Sequence, residues 1–155
     1  MIRPLAHYEI DQLLDLWLSG TAKAHPFIDP LYWQQNYGLV KEQLLPAAQT
    51  YVYADRHKLK GFISLLDGNF IGALFVAPEF QNQKIGTKLL NYLLRRRSFA
   101  CLNVYAKNQQ AIDFYHRRGF KIIREQTDAK TGASELTMSW ARGARSGICR
   151  RPGES

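Results

Sequence analysis

Two stretches of this sequence carry residue types at spacings suited to chemistry. The first is Gln81-Asn82-Gln83-Lys84-Ile85-Gly86-Thr87, which follows the apolar run Leu74-Phe75-Val76-Ala77-Pro78. A strand that ends at a proline hands the chain to a polar loop and then to a helix. Several backbone N–H groups and a helix dipole then point at one spot, which suits a phosphate or pyrophosphate. Taken alone, the same composition reads as a plain strand-to-helix connection. The second stretch is Asn108-Gln109-Gln110-Ala111-Ile112-Asp113-Phe114-Tyr115-His116-Arg117-Arg118-Gly119-Phe120. Asn108 is suited to cap a helix and Gly119 to the left-handed position past its end, while Asn108, Ala111, Ile112 and Tyr115 share one face. A phenol with an ordinary pKa of about 10 keeps its proton at neutral pH, so Tyr115 could serve as an acid. The other reading of Tyr115 is a core aromatic on an amphipathic helix.

The elements that must position these segments follow from periodicity. Ile10, Leu13, Leu14, Trp17 and Leu18 recur at helical spacing. Asp29-Pro30 is a helix start, and Trp33, Tyr37, Val40 and Leu44 form one stripe up to Pro46. Trp33 and Tyr37 could wall a substrate site or be ordinary core. Residues 50–53, 59–66 and 70–76 are rich in β-branched and aromatic types and are separated by turn residues, which predicts an antiparallel meander. A helix with Ile85, Leu89, Leu90, Leu93 and Leu94 on one side follows, closed by Arg95-Arg96-Arg97, whose cations complement the helix dipole. A strand (99–104), the Asn108 helix and two strands (120–124, 135–140) complete the order β-α-α-β-β-β-α-β-α-β-β, counting residues 1–3 as a weak first strand. This is a mixed α/β layer protein.

On the loop Gln81 to Gly86, of the Q/R-x-x-G-x-G/A type, and on the Asn-x-x-Ala-x-x-Phe-Tyr pattern from Asn108 to Tyr115, the sequence resembles the GNAT acetyltransferase family. The resemblance covers residues 1 to 140, and the element order agrees with it. It implies the GNAT fold, a central mostly antiparallel sheet flanked by helices. The strands at 70–76 and 99–104 would splay apart to admit the pantetheine arm of acetyl-coenzyme A (acetyl-CoA). Phe75 and Val76 would then offer backbone groups to that arm, and Gln81, Asn82, Gln83, Lys84, Ile85, Gly86 and Thr87 would cradle the pyrophosphate. Asn108 would touch the cofactor further along, and Tyr115 would protonate the leaving thiolate. The implied reaction is direct attack of a neutral primary amine on the thioester. An amine with a pKa of about 10.4 is mostly protonated at neutral pH, so a base must take its proton. Lys84 stands where the family usually has its first loop glycine; a positive φ there costs a lysine about 1–2 kcal/mol, which an ammonium beside phosphates could offset. Asn103 lies on the cleft strand where several relatives carry a glutamate assigned as base, and an amide cannot take that role. His25 lies with Phe27 in the segment that lines the substrate side in this family, and an imidazole pKa of about 6.5 suits a base.

At 155 residues with 46% hydrophobic content, the chain suits one domain with a continuous core. Residues 1 to 140 are expected to form it, and 141 to 155, rich in Gly, Arg and Ser, to be a loosely ordered basic tail. The start of the chain has no apolar leader pattern and no apolar run suits a membrane helix, so a cytoplasmic protein is expected. Cys101 sits in an apolar stretch and Cys149 in a polar tail, so reduced thiols are expected, and metal-ligand spacings are absent. The net charge of +8 raises a polyanionic partner, but +3 of it lies in the last fifteen residues and no aromatic-interleaved basic motif supports nucleic acid. The leading expectation is an N-acetyltransferase acting on a protein lysine, an N-terminal amine or a small amine, as monomer or homodimer. A non-catalytic acyl-CoA binding module and a nucleic-acid binder are the alternatives.

Overall fold

The computed structural model describes residues 1–56, 58–143 and 149. Seven strands form one sheet in the order β1-β2-β3-β4-β5-β7-β6: β1 Ile2–Pro4, β2 Gln49–Asp55, β3 Lys58–Leu66, β4 Phe70–Val76, β5 Phe99–Tyr105, β6 Lys121–Thr127 and β7 Ser134–Ala141. Four helices pack on it: α1 Ile10–Ala24, α2 Pro30–Gln35, α3 Ile85–Leu94 and α4 Gln109–His116. The expected mixed α/β order and the meander β2-β3-β4 are both present. Every neighbouring pair is antiparallel except β4 and β5.

The two faces of the sheet bury different helices. Ile63, Leu65, Leu102, Val104 and Met138 face α3 and α4, whose Ile85, Leu89, Leu90, Ile112 and Tyr115 complete one core. Val52, Leu59 and Phe62 point the other way, against Leu13, Leu14 and Leu16 of α1. Alternation along β5 therefore turns Cys101, Asn103 and Tyr105 toward the α1–α2 side.

The β4–β5 junction opens the molecule. Their pairing is confined to Phe70 opposite Cys101 and Ile71 opposite Leu102. On the other side of β4, Ser64 of β3 faces Ala73 and Leu65 faces Ile71, so Gly72 is an extra residue in a β-bulge. A bulge bends its strand and increases its twist. Here it falls directly after the last β4–β5 pair, and beyond it the two strands diverge as a wedge. The α1–β4 contact is close: a Cβ on Gly20 would lie 2.6 Å from Cδ1 of Phe75, and one on Gly61 of β3 would lie 2.9 Å from the Phe75 carbonyl oxygen. Phe75 is thus gripped from both sides by positions that tolerate no side chain without a shift.

Three expectations change. The single helix expected from Asp29 to Pro46 is interrupted: Asp29 caps α2 through Leu31 N (3.0 Å), but the helix stops at Asn36. A helical turn at Tyr37–Leu39, a π-helical turn at Val40–Leu44 and a last turn at Leu45–Ala47 follow. The amide of Asn36 donates to Tyr32 O (2.6 Å), engaging a helix carbonyl with a side chain, and Gly38 follows it. Pro46 sits in the first positions of the last turn rather than ending the run.

The second change is at the cysteines, which form a disulfide between Cys101 and Cys149, with Cα atoms 5.6 Å apart, in place of two reduced thiols. Cys149 thus lies against β5, and Arg124 of β6 donates to its carbonyl (3.1 Å). The third is that Arg142 is tied down, donating to the α3-end carbonyls of Leu94 (2.9 Å) and Arg95 (3.3 Å). The loosely ordered tail expected over 141–155 otherwise falls on 144–148 and 150–155, which lie outside the described residues. Of the arginine run, Arg96 donates to Tyr92 O of α3, in keeping with a cation that satisfies a carbonyl at a helix end, whereas Arg97 reaches Gly68 O in the turn between β3 and β4. Among the described residues no helix is long and apolar enough to cross a membrane.

Candidate active site

The polar loop after β4 has the backbone its composition suggested. Asn82 (φ 67°) and Lys84 (φ 64°) are both left-handed, and α3 begins immediately after Lys84. Two left-handed residues in a four-residue loop turn successive amides toward the start of the helix, the arrangement that receives anions. The Gln81 amide bridges back to Val76 O (3.3 Å), tying the loop to the end of β4. Gly86 leaves room for the Phe114 ring, 3.6 Å from where its Cβ would be. Lys84 therefore carries the strain foreseen for a lysine in place of glycine. Lys84→Gly is expected to hold or raise the stability, by up to about 1 kcal/mol, because relief of the left-handed penalty outweighs the added freedom of the unfolded chain. Thermal melts of the variant against Lys84→Ala, which keeps the strain, check this.

Across the wedge, Asn108 caps α4 by accepting from Ala111 N (3.3 Å), and Gly119 is left-handed (φ 93°) past the helix end. Tyr115 is 9% exposed, its ring edge-on to Phe114 and Phe120 at 5.1 and 5.3 Å. Burial alone pushes its phenol well above the ordinary tyrosine range, so the proton stays on.

The α1–α2 side of the sheet holds an aromatic cluster centred on Tyr105 of β5. His25, Phe27 and Trp33 place their rings 5.1, 5.7 and 6.4 Å from it, and His25 lies 5.3 Å from Trp33. The Tyr105 hydroxyl donates to Asp128 Oδ2 (2.6 Å), so this strand end is tied to the segment before β7. Nδ1 of His25 lies 2.7 Å from Thr21 O. A carbonyl only accepts, so Nδ1 carries the hydrogen and Nε2 keeps the lone pair of a neutral imidazole. Burial lowers the His25 pKa below the usual value, against a smaller opposing pull from Thr21 O.

A family profile described as "Acetyltransferase (GNAT) domain" matches residues 20–142. The chain belongs to the GNAT acetyltransferase family. The peptidyl-lysine N-acetyltransferase YiaC of Escherichia coli strain K12 is 39% identical over 140 residues, spanning 90% of this chain and 96% of that protein. The solution structure of apo-form YjaB from Escherichia coli superposes with a TM-score of 0.77 at 28% identity, covering 90% of this chain and 95% of that one. An aminoglycoside 6'-N-acetyltransferase complexed with coenzyme A shares the fold, with a TM-score of 0.68 at 19% identity, over 98% and 99% of the two chains.

As a GNAT, this protein is an acetyl-CoA dependent acetyltransferase, and its geometry fits that co-substrate. The loop 81–87 and the backbone of Phe75 and Val76 lie along one arm of the wedge. The other predicted residues are distributed unevenly. His25, Phe27 and Trp33 gather, whereas Tyr37 packs into the α1 core and not onto that cluster. Asn103 faces the same side with its Oδ1 accepting from Thr137 Oγ1 (2.7 Å), which continues to Gln126 (3.1 Å). Among the described residues no cluster of His, Cys, Asp or Glu could hold a metal. Sequence reading missed Tyr105, although period two from Asn103 would place it on the cleft side, and missed Arg118.

Proposed function

We propose that this acetyltransferase moves the acetyl group of acetyl-CoA to the side-chain amine of a peptidyl lysine, with Tyr115 as acid and His25 as base. The observation that carries this reading is the placement of a buried phenol and a carbonyl-bonded imidazole on opposite faces of the sheet beside the wedge. Tyr115 belongs to the α3–α4 face and His25 to the α1–α2 face, so they can serve one substrate only where β4 and β5 no longer pair. A phenol that burial keeps protonated supplies a proton to a departing thiolate. A neutral imidazole with Nε2 unprotonated accepts one from an ammonium. The peptidyl-lysine acetyltransferases among its relatives support the acceptor class. The aromatic rings beside His25 would pack on a lysine stem and favour its cationic head on approach.

The test is mass-spectrometric detection of acetylated product, with stoichiometric coenzyme A release, over lysine peptides, N-terminal amines, polyamines and aminoglycosides. Turnover led by lysine peptides supports the acceptor class. Turnover of small amines with inert peptides overturns it, and failure to turn over any amine overturns the transferase chemistry assigned to the two residues.

The acid limb of kcat/KM should follow His25. Protonation of the imidazole removes the base, so the rate falls as pH drops through its pKa, with a midpoint below about 6.5 because burial disfavours the cation. His25→Ala is expected to erase that limb and to cost about tenfold at neutral pH, where water can replace the side chain in part. A pH profile of both proteins decides it; an unchanged limb in the variant places the base elsewhere.

A further inference from the structure

Arg118 is a cation without an assigned task. It follows α4, yet its guanidinium reaches the first turn of α3, where it donates to Thr87 Oγ1. It also donates to Phe114 O (3.0 Å), and it lies 4.0 Å from the centroid of the Phe114 ring, the ring that fills the space beside Gly86. Its Nε is buried and has no partner among the described residues. No carboxylate pairs with it among those residues, and burial, with a smaller push from the like-charged Arg117, disfavours its cation. A partly buried guanidinium is thus held beside the first turn of α3 with no carboxylate partner among the described residues.

Thr87 adds an independent constraint. A hydroxyl has one hydrogen to give and two lone pairs to receive with. Because Oγ1 accepts from Arg118, its own hydrogen is turned away from the guanidinium and polarised by it. Thr87 lies in the first turn of α3, directly after the left-handed Asn82 and Lys84.

We propose that Arg118 is a positioning residue for the diphosphate of coenzyme A: it orients the Thr87 hydroxyl toward a phosphate oxygen and supplies the guanidinium charge that the loop lacks with Gln81 at its first position. This rests on the function proposed above. Its scope is narrow. Arg118 acts on the phosphate end of the co-substrate and leaves the thioester chemistry alone, so a co-substrate without phosphates should not sense it.

The test compares wild type, Arg118→Gln and Arg118→Lys in two measurements: calorimetric binding of coenzyme A, and kcat/KM with acetyl-CoA against S-acetylpantetheine, which has the thioester arm but no diphosphate. Arg118→Gln is expected to weaken coenzyme A binding by about tenfold or more, in line with loss of charge-assisted contacts, and to flatten its salt dependence. It should leave kcat/KM for S-acetylpantetheine within about twofold of wild type. Arg118→Lys, which keeps the charge but not the fork, should fall between and carries the test if the glutamine variant does not fold. Equal losses on both thioesters would show a purely structural role for Arg118 and overturn the proposal, as would coenzyme A binding unchanged in both variants. If wild type itself does not bind coenzyme A, the functional reading falls with it. If wild type binds and the variants bind equally well, only this inference falls.

Discussion

Tyr115→Phe should lower kcat by about 10²-fold or more while coenzyme A binds as in wild type. The substitution removes one oxygen and keeps the ring between Phe114 and Phe120, so packing and fold are retained. What it removes is a proton donor. In the folded protein burial holds the phenol well above the ordinary tyrosine range, so at neutral pH it keeps its proton and can give one. Without it the thiolate must leave unprotonated or draw on water that the buried position excludes. Steady-state thiol release at saturating acetyl-CoA, with binding measured separately, distinguishes this from the role of a core aromatic, for which kcat would be unchanged. The loss should also be smaller for an acyl donor whose leaving thiol is more acidic, because that group needs less help.

The second large effect is on stability. The Cys101–Cys149 bond closes a loop of 48 residues. In the chain-entropy account a loop of that size restricts the unfolded state enough to stabilise the fold by about 4 kcal/mol, worth about 10 °C in melting temperature for a chain of this length. Melting the oxidised protein beside a reduced sample and beside Cys149→Ser should show that gap. Thiol titration after denaturation should count no free thiols until reductant is added. Melting temperatures within about 2 °C of one another would mean that the bond does not restrain the chain.

The fold was readable in the sequence wherever periodicity was strong and local. The stripes of α1, α3 and α4, the caps at Asp29 and Asn108, and the left-handed glycine after α4 all depend on neighbours within a few residues, and all are present. What failed depended on partners far along the chain or on side chains that compete with the backbone. The second helical run is segmented at Asn36 and again by the π-helical turn at Val40–Leu44, irregularities that the apolar stripe from Trp33 to Leu44 cannot register. Cys101 and Cys149 looked unrelated because one sits in an apolar strand and the other past the last one; only the tertiary structure brings them together. The divergence of β4 from β5 came from the family resemblance alone, and their parallel pairing was not anticipated, since no periodicity within either strand announces which neighbour it will keep or leave.

For the site, the loop and α4 were legible because their residue types are tied to fixed backbone needs: left-handed turns, a helix start, a cap. The acceptor side was less so. Tyr105 owes its place to three contacts from α1–α2 and one from Asp128, none within fifteen residues of it. Arg118 looks in sequence like one more surface cation after a helix, and its direction is set by Thr87, 31 positions earlier.

The bulge at Gly72 gives the sheet two edges in its interior. Beyond it, β4 keeps only β3 as a partner and β5 only β7, so each presents one row of backbone donors and acceptors to the gap. An ordinary sheet edge lies at the rim and invites another chain; these lie inside the sheet, between helices on its two faces. A slender molecule bearing amides would, on the function proposed above, lie along β4 as a partial strand. Under the function proposed here, the co-substrate finishes the sheet that the polypeptide leaves unfinished. Folding and loading are then one linked equilibrium, in which a hundredfold excess of ligand over its dissociation constant adds about 2.7 kcal/mol to the stability of the protein.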